Sequence, residues 1–332
     1  MKKIGVLVTV MLFLFSLLGL TGCGSGGEKQ GGSQQGDGKT ANHLTFATAG
    51  TGGTFYPLGG GMAKIISKYV PSLQVTAEAT GGSVENARLL DRGEADLAFM
   101  AGDVAYEAYH GLGDFQNEKK KFFALFKTYS EPLHIVTLQD KKINSIMDLK
   151  GKKVAVGSPG SGTEVKARAL LNALGITYND IDEQYLSFAE ASDALKDNNI
   201  DAAIMAVGAP ASAVMDLSAV REVKLISLTP EEISKVKEKH PYFFESKIEK
   251  GVYEKIPVEV ETVAVPIVVA ARADLPEQTA YEVVKAIFEH LPELQTVHRV
   301  AKEITLETAV PAVVPLHPGA ERYFKEKGLT WK

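Results

Sequence analysis

The feature that most constrains this chain is a pattern of a short apolar strand, a turn of small residues and an amphipathic helix, which occurs four times. The turns combine glycine with serine, threonine or proline, and they lie at residues 49–54, 80–83, 157–163 and 208–210. Strands that alternate with helices predict a parallel α/β sheet that binds ligands beyond the carboxyl ends of its strands.

A weak internal repeat indicates two similar lobes. Residues 90–100 and 195–205 match at Leu, Asp, Ala and Met with a constant offset of 105 positions. Both copies are typical of a helix, a turn and a short buried strand, and chance agreement between such units is the alternative. The length of 332 residues agrees with about two domains of ~150 residues. We predict one lobe at 44–130, completed by part of 230–332, and a second at 131–229.

Extended segments are predicted to join the two lobes. Residues 122–138 are rich in aromatic and β-branched side chains, which favour a long strand. Residues 222–228 form a second crossing segment, and residues 262–271 are a candidate for a third. Two α/β lobes joined by extended strands form a cleft that can close on a ligand.

The N-terminus has the pattern of a lipoprotein signal. Two lysines precede a mostly apolar stretch at residues 4–20, and residues 20–23 (Leu-Thr-Gly-Cys) resemble a bacterial lipobox. Cys23, the single cysteine of the chain, is the predicted lipid attachment site after removal of the signal peptide 1–22. An uncleaved signal-anchor helix is the alternative.

The segment after this signal is predicted to be a tether. Residues 23–43 carry the cysteine and a glycine-rich stretch that lacks large apolar side chains. Such a stretch cannot bury enough surface to offset its ordering entropy, so we expect a flexible coil. The folded part is predicted to begin near Leu44 and to be lipid-anchored on the extracytoplasmic face of the cell membrane.

Several kinds of chemistry have no support in the residues. A net charge of -5 provides no basic face for nucleic acid, and one cysteine excludes an intrachain disulfide or a thiolate metal cluster. The seven histidines lack HExxH spacing. The turn 157–163 lacks the lysine of a phosphate-binding loop, and Phe55 occupies the third glycine position of a dinucleotide fingerprint. We expect no metal, no cofactor, no catalytic residue and no enzymatic activity.

The small-residue turns are suited to binding an anion. The first turn of a helix leaves N–H groups unpaired and carries a partial positive charge. Glycine allows an anion to approach closely, and serine or threonine adds a hydroxyl donor. Several helix ends that face one cleft would bind a carboxylate without arginine. The alternative is that Thr54, Ser83 and Thr163 merely cap their own helices.

Six stretches of the sequence resemble one known family. They are TAGTGGTFYPLGGGMA (48–63), ATGGSVENARLL (79–90), GEADLAFMAGD (93–103), GKKVAVGSPGSGTE (151–164), IDAAIMAVGAP (200–210) and HPGAERYFKEKG (317–328). In this order, across nearly all of 44–328, they are similar to the solute-binding proteins of TRAP transporters, subclass TAXI. The lipoprotein signal departs from the commonest soluble form of that family.

The resemblance implies a fold, a function and a set of partners. The fold is a two-lobed, type II periplasmic-binding-protein-like α/β fold with a ligand cleft between the lobes. The function is to capture a small carboxylate or amino acid, glutamate-like or a C4–C5 dicarboxylate, and to deliver it to an ion-driven TRAP permease. We also predict a monomer.

Carried over residue by residue, the resemblance also implies the ligand-binding positions. They are Gly52, Gly53, Thr54, Tyr56, Ser83, Asn86, Asp103, Ser161, Gly162, Thr163 and Gly208. Asp103 would repel a plain dicarboxylate but would pair with an ammonium group. Its alternative role is to cap the helix at 104–110. Tyr56 and Phe55 would provide an apolar wall or ordinary core packing.

Three other functions stay open at this point. The first is the receptor of an ATP-driven importer, which shares the same fold. The second is a secreted enzyme on a similar two-lobed fold, against which the missing nucleophile and metal motifs count. The third is a surface adhesin whose cleft is vestigial.

Overall fold

The computed structural model describes residues 42–310 and 313–330. The predicted signal peptide 1–22, the lipid site Cys23 and most of the tether lie outside these residues. The first strand begins at Asn42, two residues before the predicted start, because backbone pairing with the neighbouring strand continues through this position. Within the described ranges, none of the helices combines the length and the apolar character needed to cross a membrane.

Strands and helices alternate through most of the described chain. The strands are β1 (Asn42–Ala47), β2 (Leu73–Glu78), β3 (Leu97–Ala101), β4 (Phe122–Leu138), β5 (Lys153–Ala155), β6 (Asp182–Gln184), β7 (Ala202–Ala206), β8 (Val223–Leu225), β9 (Phe244–Ile248) and β10 (Val260–Arg272). The helices are α1 (Phe55–Tyr69), α2 (Ser83–Arg92), α3 (Gly102–His110), α4 (Gly162–Ala173), α5 (Phe188–Lys196), α6 (Ser212–Val220), α7 (Pro230–Lys239), α8 (Glu277–Glu289), α9 (Leu291–Gln295) and α10 (Pro318–Glu326).

The strands form one continuous sheet in the order β2-β1-β3-β10-β4-β7-β5-β6, with β8 paired to β4 and β9 paired to β10. β1 is parallel to β2 and β3, and β5 is parallel to β6 and β7, as the alternation of strands and helices predicts. We call β1, β2, β3, β9 and β10, with helices α1 to α3, the first half. The second half comprises β5 to β8 with α4 to α6.

The strand β4 connects the two halves. It is 17 residues long, and its first part pairs antiparallel with β10 while its last part pairs with β7 and β8. The segment 222–228 also crosses, because β8 lies on β4 and Leu228 N then donates to Glu261 O of β10 at 2.9 Å. Strand covers all of the predicted segments 122–138 and 262–271, but only Val223–Leu225 of the predicted segment 222–228. Helix α7, which follows the predicted lobe boundary at residue 229, packs against α4 of the second half.

Aromatic packing positions the first glycine turn. Phe55, the first residue of α1, stacks on Phe99 of β3 with ring centroids 4.9 Å apart, and Phe46 of β1 stacks on the same ring at 5.1 Å. All three rings are buried, and burial of a side chain of this size contributes about 1.5–3 kcal/mol. The turn before α1 is therefore held against the carboxyl end of the sheet.

The internal repeat corresponds to one structural unit in each half. The unit is α2, a turn and β3 in the first half, and α5, a turn and β7 in the second. Asp96 accepts a hydrogen bond from Thr45 N of β1 at 2.8 Å, and Asp201 accepts one from Lys153 N of β5 at 3.0 Å. The two aspartates that match in the sequence therefore both accept a hydrogen bond from a backbone N–H group of another strand in their half. This agreement shows that the repeat is structural and not a chance match.

Candidate functional site

A cleft lies between the two halves, at the carboxyl ends of their parallel strands. The space there that protein atoms do not fill, part of it open to solvent, is about 500 Å³. Its walls come from the turns at 49–54, 81–83 and 158–163 and from residues 206–207 at the end of β7. Three of the four turns predicted from the sequence therefore meet at this cleft, whereas the fourth, 208–210, lies just beyond its lining.

Four helices begin at this cleft. The first residues of α1, α2, α4 and α5, which are Phe55, Ser83, Gly162 and Phe188, all contribute to its lining. Each helix begins with N–H groups that have no partner within the helix and with the positive end of the helix dipole. Four such ends directed at one space produce a positive potential without a cationic side chain, and this favours an anionic group.

Backbone glycine is required where two of these helices approach each other. A Cβ atom on Gly162 would lie 2.9 Å from the Lys166 ammonium nitrogen and 3.0 Å from Ser83 Oγ. Gly82, directly before α2, has φ of 116°, a conformation that favours glycine. Larger residues at these two positions would separate the N-termini of α2 and α4.

Hydrogen bonds close the rim of the cleft. Glu85 N of α2 donates to Gly160 O in the turn before α4 at 3.1 Å. Thr54 Oγ1 of the first half donates to Gly208 O of the second half at 3.0 Å. Both hydrogen bonds join one half to the other across the cleft. They indicate that the two halves are closed on each other.

The threonines of the cleft direct their hydroxyl groups to the protein itself. Thr54 Oγ1 donates to Gly208 O, and Thr163 Oγ1 donates to Ala206 O at 3.4 Å. Neither side chain caps its own helix in the described chain, so the alternative role as a cap is wrong for both. Because each hydroxyl has a single proton, these two groups are not the main donors to a ligand.

The hydroxyl groups of Ser83 and Ser161 can donate a hydrogen bond into the cleft. Ser83 Oγ accepts from Ala101 N at 3.0 Å, and Ser161 Oγ caps α4 by accepting from Glu164 N at 3.1 Å. In both contacts the serine oxygen is the acceptor, and its own proton has no acceptor among the described residues. The hydroxyls of Ser83 and Ser161 therefore add donors beside the unpaired N–H groups of the helix ends.

Some of the residues predicted for the site lie beside the cleft. Gly53, Thr54, Ser83, Ser161, Gly162 and Thr163 line it. Gly52 packs against α5, where a Cβ atom would lie 2.9 Å from Ala189 N, and Gly208 packs under the ring of Tyr129. The side chain of Tyr56 is 38% exposed on the surface of α1.

Asn86 joins the ends of two strands. Its Nδ2 donates to Thr48 O at 2.7 Å and to Phe99 O at 2.8 Å, and Thr80 Oγ1 donates to its Oδ1 at 2.7 Å. The amide is fully buried, and all three contacts are internal. Asn86 thus fixes the turn at 80–83 relative to β1 and β3.

A buried group of charges lies against the cleft. The ammonium group of Lys166 lies 3.5 Å from Asp103 Oδ1 and 3.7 Å from Glu131 Oε2, and it donates to Gly162 O at 3.0 Å. Asp103 is the second residue of α3, and its carboxylate oxygens accept no hydrogen bond from any described residue, so its alternative role as a helix cap is wrong. Glu131, in β4, lines the cleft, whereas Asp103 lies behind its wall.

The environment of Glu131 changes its acidity. Burial raises the pKa of the Glu131 carboxyl to about 7; Lys166 opposes this rise and Asp103 adds to it. Sequence reasoning missed both Glu131 and Lys166. The available signal was that each is a charged residue at a position otherwise occupied by buried side chains, Glu131 within an apolar strand and Lys166 between Val165 and Ala167.

Metal ligation finds no support at the site or elsewhere in residues 42–310 and 313–330, where no group of three or more histidine, cysteine or acidic side chains is placed to hold an ion.

Solved structures share the fold at low sequence identity. A structure from Bordetella bronchiseptica RB50 has a TM-score of 0.52 with 18% identity, over 87% of this chain and 89% of that chain. The periplasmic binding protein BugD has a TM-score of 0.53 with 14% identity, over 86% and 94%. These two likenesses confirm the two-lobed α/β fold. A putative L-cystine ABC transporter from Listeria monocytogenes is similar at a TM-score of 0.48 with 15% identity, over 81% and 99%.

The sequence also matches a family model. The model is described as the NMT1-like family, and it matches residues 46–328, which include every turn of the cleft and all of both halves except the start of β1. The chain belongs to the NMT1-like family.

Proposed function

We propose that this protein is a receptor that captures a small carboxylate-bearing solute in the cleft and passes it unchanged to a membrane transporter. The observation that supports this most strongly is the convergence of four helix N-termini on one closed cleft between two halves joined by extended strands. Such a cleft binds and releases a solute by opening and closing.

The solute is held mainly by the backbone. Its carboxylate receives hydrogen bonds from the first turns of α1, α2 and α4 and from the hydroxyls of Ser83 and Ser161. Of the positions predicted from the sequence, Gly53, Ser83, Ser161 and Gly162 line the cleft and are suited to this role. Hydrogen bonds to a charged group contribute about 1.5–3 kcal/mol each, so a few of them are enough for micromolar affinity.

The transporter served by this receptor is one of two kinds. The receptor of an ATP-driven importer requires nothing beyond the two-lobed fold, and we place it first. An ion-driven TRAP carrier requires the TAXI subclass, which rests on the resemblance of short stretches such as GTGGTFYP and GSGTE. Attachment through Cys23 would hold either receptor at the extracytoplasmic face, beside its transporter.

The choice of transporter has a direct test. In membrane vesicles that carry the receptor and its permease, uptake of the bound solute should require ATP and should survive an ionophore that collapses the ion gradients. Uptake that stops with the ionophore and needs no ATP would instead support the TRAP carrier.

Binding itself is tested by ligand-induced stabilisation. L-Glutamate, 2-oxoglutarate and succinate are the probes, and a true ligand at 100 times its Kd should add roughly 2.7 kcal/mol to the free energy of unfolding. Gly162→Ala should weaken binding about tenfold or more, because the methyl group would push apart Lys166 and Ser83.

The matched control is Gly60→Ala. Gly60 lies in α1 with nothing within 4 Å of an added Cβ atom, so alanine there should leave affinity unchanged and should slightly stabilise the helix. Equal affinity in the Gly162→Ala and Gly60→Ala proteins would contradict the proposed binding mode. An absence of stabilisation by every probe would contradict its solute class.

A further inference from the structure

The cleft contains one carboxylate that the protein leaves without a hydrogen-bond donor. Glu131 is 5% exposed and lines the cleft at the point where β4 passes from one half to the other. Its oxygen lies 3.7 Å from the Lys166 ammonium, which is longer than a normal hydrogen bond. Among the described residues, no other N–H or O–H group donates to this carboxylate.

The charges around Glu131 do not balance. The side chains of Lys166 and Asp103 are 0% exposed and that of Glu131 is 7% exposed, so one buried cation faces two buried carboxylates. Lys166 is closer to Asp103, at 3.5 Å, and it also donates to Gly162 O. A buried charge is unfavourable unless it is paired, and the carboxylate that faces the cleft is the one left in excess.

The missing positive charge has no source in the cleft wall. In the described chain, Glu131 is the one charged side chain that lines the cleft, and the lining there includes no lysine or arginine. The other walls are small residues, hydroxyls, the ring of Phe188 and helix N-termini. A second cation must therefore arrive with the solute, or a proton must take its place.

We infer that Glu131 binds a positively charged amino group of the solute, so that the receptor selects a zwitterionic amino acid over a plain dicarboxylate. This inference rests on the proposed function, because it places the solute carboxylate at the helix N-termini and the amino group at Glu131. A dicarboxylate would put a second negative charge close to Glu131 and would be repelled. Asp103, which the sequence suggested for this role, is instead the partner of Lys166 behind the wall.

The assignment has a pH signature. The groups that face Glu131 are Lys166 from α4, Asp103 from α3 and Tyr129 from its own strand. The pKa of Glu131 is about 7 because of burial, so above this pH the carboxylate is charged and ready for an ammonium group. Below it a proton occupies the carboxylate, and amino-acid affinity should fall by up to about tenfold per pH unit. Dicarboxylate affinity should instead rise as the pH falls.

The experiment compares Glu131→Gln with Glu107→Gln. Glu107 is a matched control, because burial also raises its pKa to about 7 while its side chain lies outside the cleft lining. Affinity for the standard L-amino acids, and for the 2-oxo acid of each one that binds, is measured by calorimetry between pH 5 and 8. The reference pair is L-glutamate and 2-oxoglutarate.

The inference expects three results. Wild-type protein binds an amino acid at least tenfold more tightly than its 2-oxo acid at pH 8. Glu131→Gln abolishes that preference and the pH dependence, whereas Glu107→Gln preserves both. Binding of 2-oxo acids in preference to amino acids would overturn the role of Glu131 and leave the proposed receptor function intact. Binding of neither set would overturn both, and an unchanged pH profile in Glu131→Gln would overturn the inference alone.

Discussion

The two halves of the molecule share one arrangement of strands, helices and backbone contacts, which we call the frame, but they differ in the residues that they place in the cleft. In the first half Asp96 bonds to Thr45 N and pairs with Arg272 at 2.8 Å. In the second half Asp201 bonds to Lys153 N and pairs with Lys141 at 3.1 Å. In each half an aspartate at the start of the third strand thus ties that strand to the first one.

At the same offset of 105 residues, the positions that reach the cleft are different. Ser83, the first residue of α2, and Phe188, the first residue of α5, line the cleft at equivalent positions. Beside the cleft, Asp103 follows β3 where Gly208 follows β7. The frame repeats because every parallel strand pair needs the same backbone contacts. The residues of the cleft lie just outside that frame, so they are able to differ between the two halves.

The largest expected effect comes from removing the buried ammonium group of Lys166, which lies outside the repeated segments 90–100 and 195–205. Lys166→Met leaves Asp103 and Glu131 buried without a cation, and we expect a loss of about 3–5 kcal/mol in the free energy of unfolding at pH 8. Since burial already raises the pKa of Glu131 to about 7, folding favours its protonated form, and stability falls as the pH rises from about 5 to 8. This fall should be steeper in Lys166→Met, as measured by urea denaturation across that range.

The comparison variant is Lys141→Met, at a lysine that follows β4. Lys141 pairs with Asp201, and their side chains are 18% and 28% exposed, so water partly screens the charge that remains. We expect a loss below about 1 kcal/mol. Adding Glu131→Gln to Lys166→Met should restore part of the lost stability. Similar losses in the two lysine variants would show that the buried charge group has no special weight.

The frame was predictable from the sequence because its signals are local. Glycine and hydroxyl turns mark where each helix begins, apolar runs mark the strands, and the repeat at 90–100 and 195–205 marks the equivalent units. Even the long crossing strand at 122–138 is evident from its composition. The exact start of β1 was missed, because Asn42 joins the sheet through its backbone and not through an apolar side chain.

The contents of the cleft were less predictable, because they depend on contacts between distant residues. The threonines match the motif, but the structure turns their hydroxyls towards the carbonyls of Ala206 and Gly208. Asp103 is prominent in the sequence, yet Lys166, 63 positions further along the chain, pairs with it. The packing of the two halves decides whether a side chain faces the cleft or the core. The local sequence pattern does not encode that packing.

A smaller effect tests the frame itself. Asp96→Asn and Asp201→Asn each weaken a charged hydrogen bond to a strand N–H, and we expect each to lose about 1.5 kcal/mol, the lower end of the range for such bonds. The side chains are 18% and 28% exposed, which argues against a larger loss.

Burial by itself would raise the pKa of Asp201, but Lys153 N and the ammonium group of Lys141 lower it below its usual value. A depressed carboxyl pKa stabilises the folded state at neutral pH, and this contribution disappears as the pH falls through that pKa. The difference in the free energy of unfolding between wild type and Asp201→Asn, measured by urea denaturation, should therefore be largest at pH 7 and shrink towards pH 3.

Asp193→Asn, at a side chain that is 73% exposed, is the control and should change stability by less than about 0.5 kcal/mol. Losses that agree within about 0.5 kcal/mol would support equivalent roles in the two halves. A loss in only one of the two aspartate variants would mean that the repeat is similar in shape but not in energy.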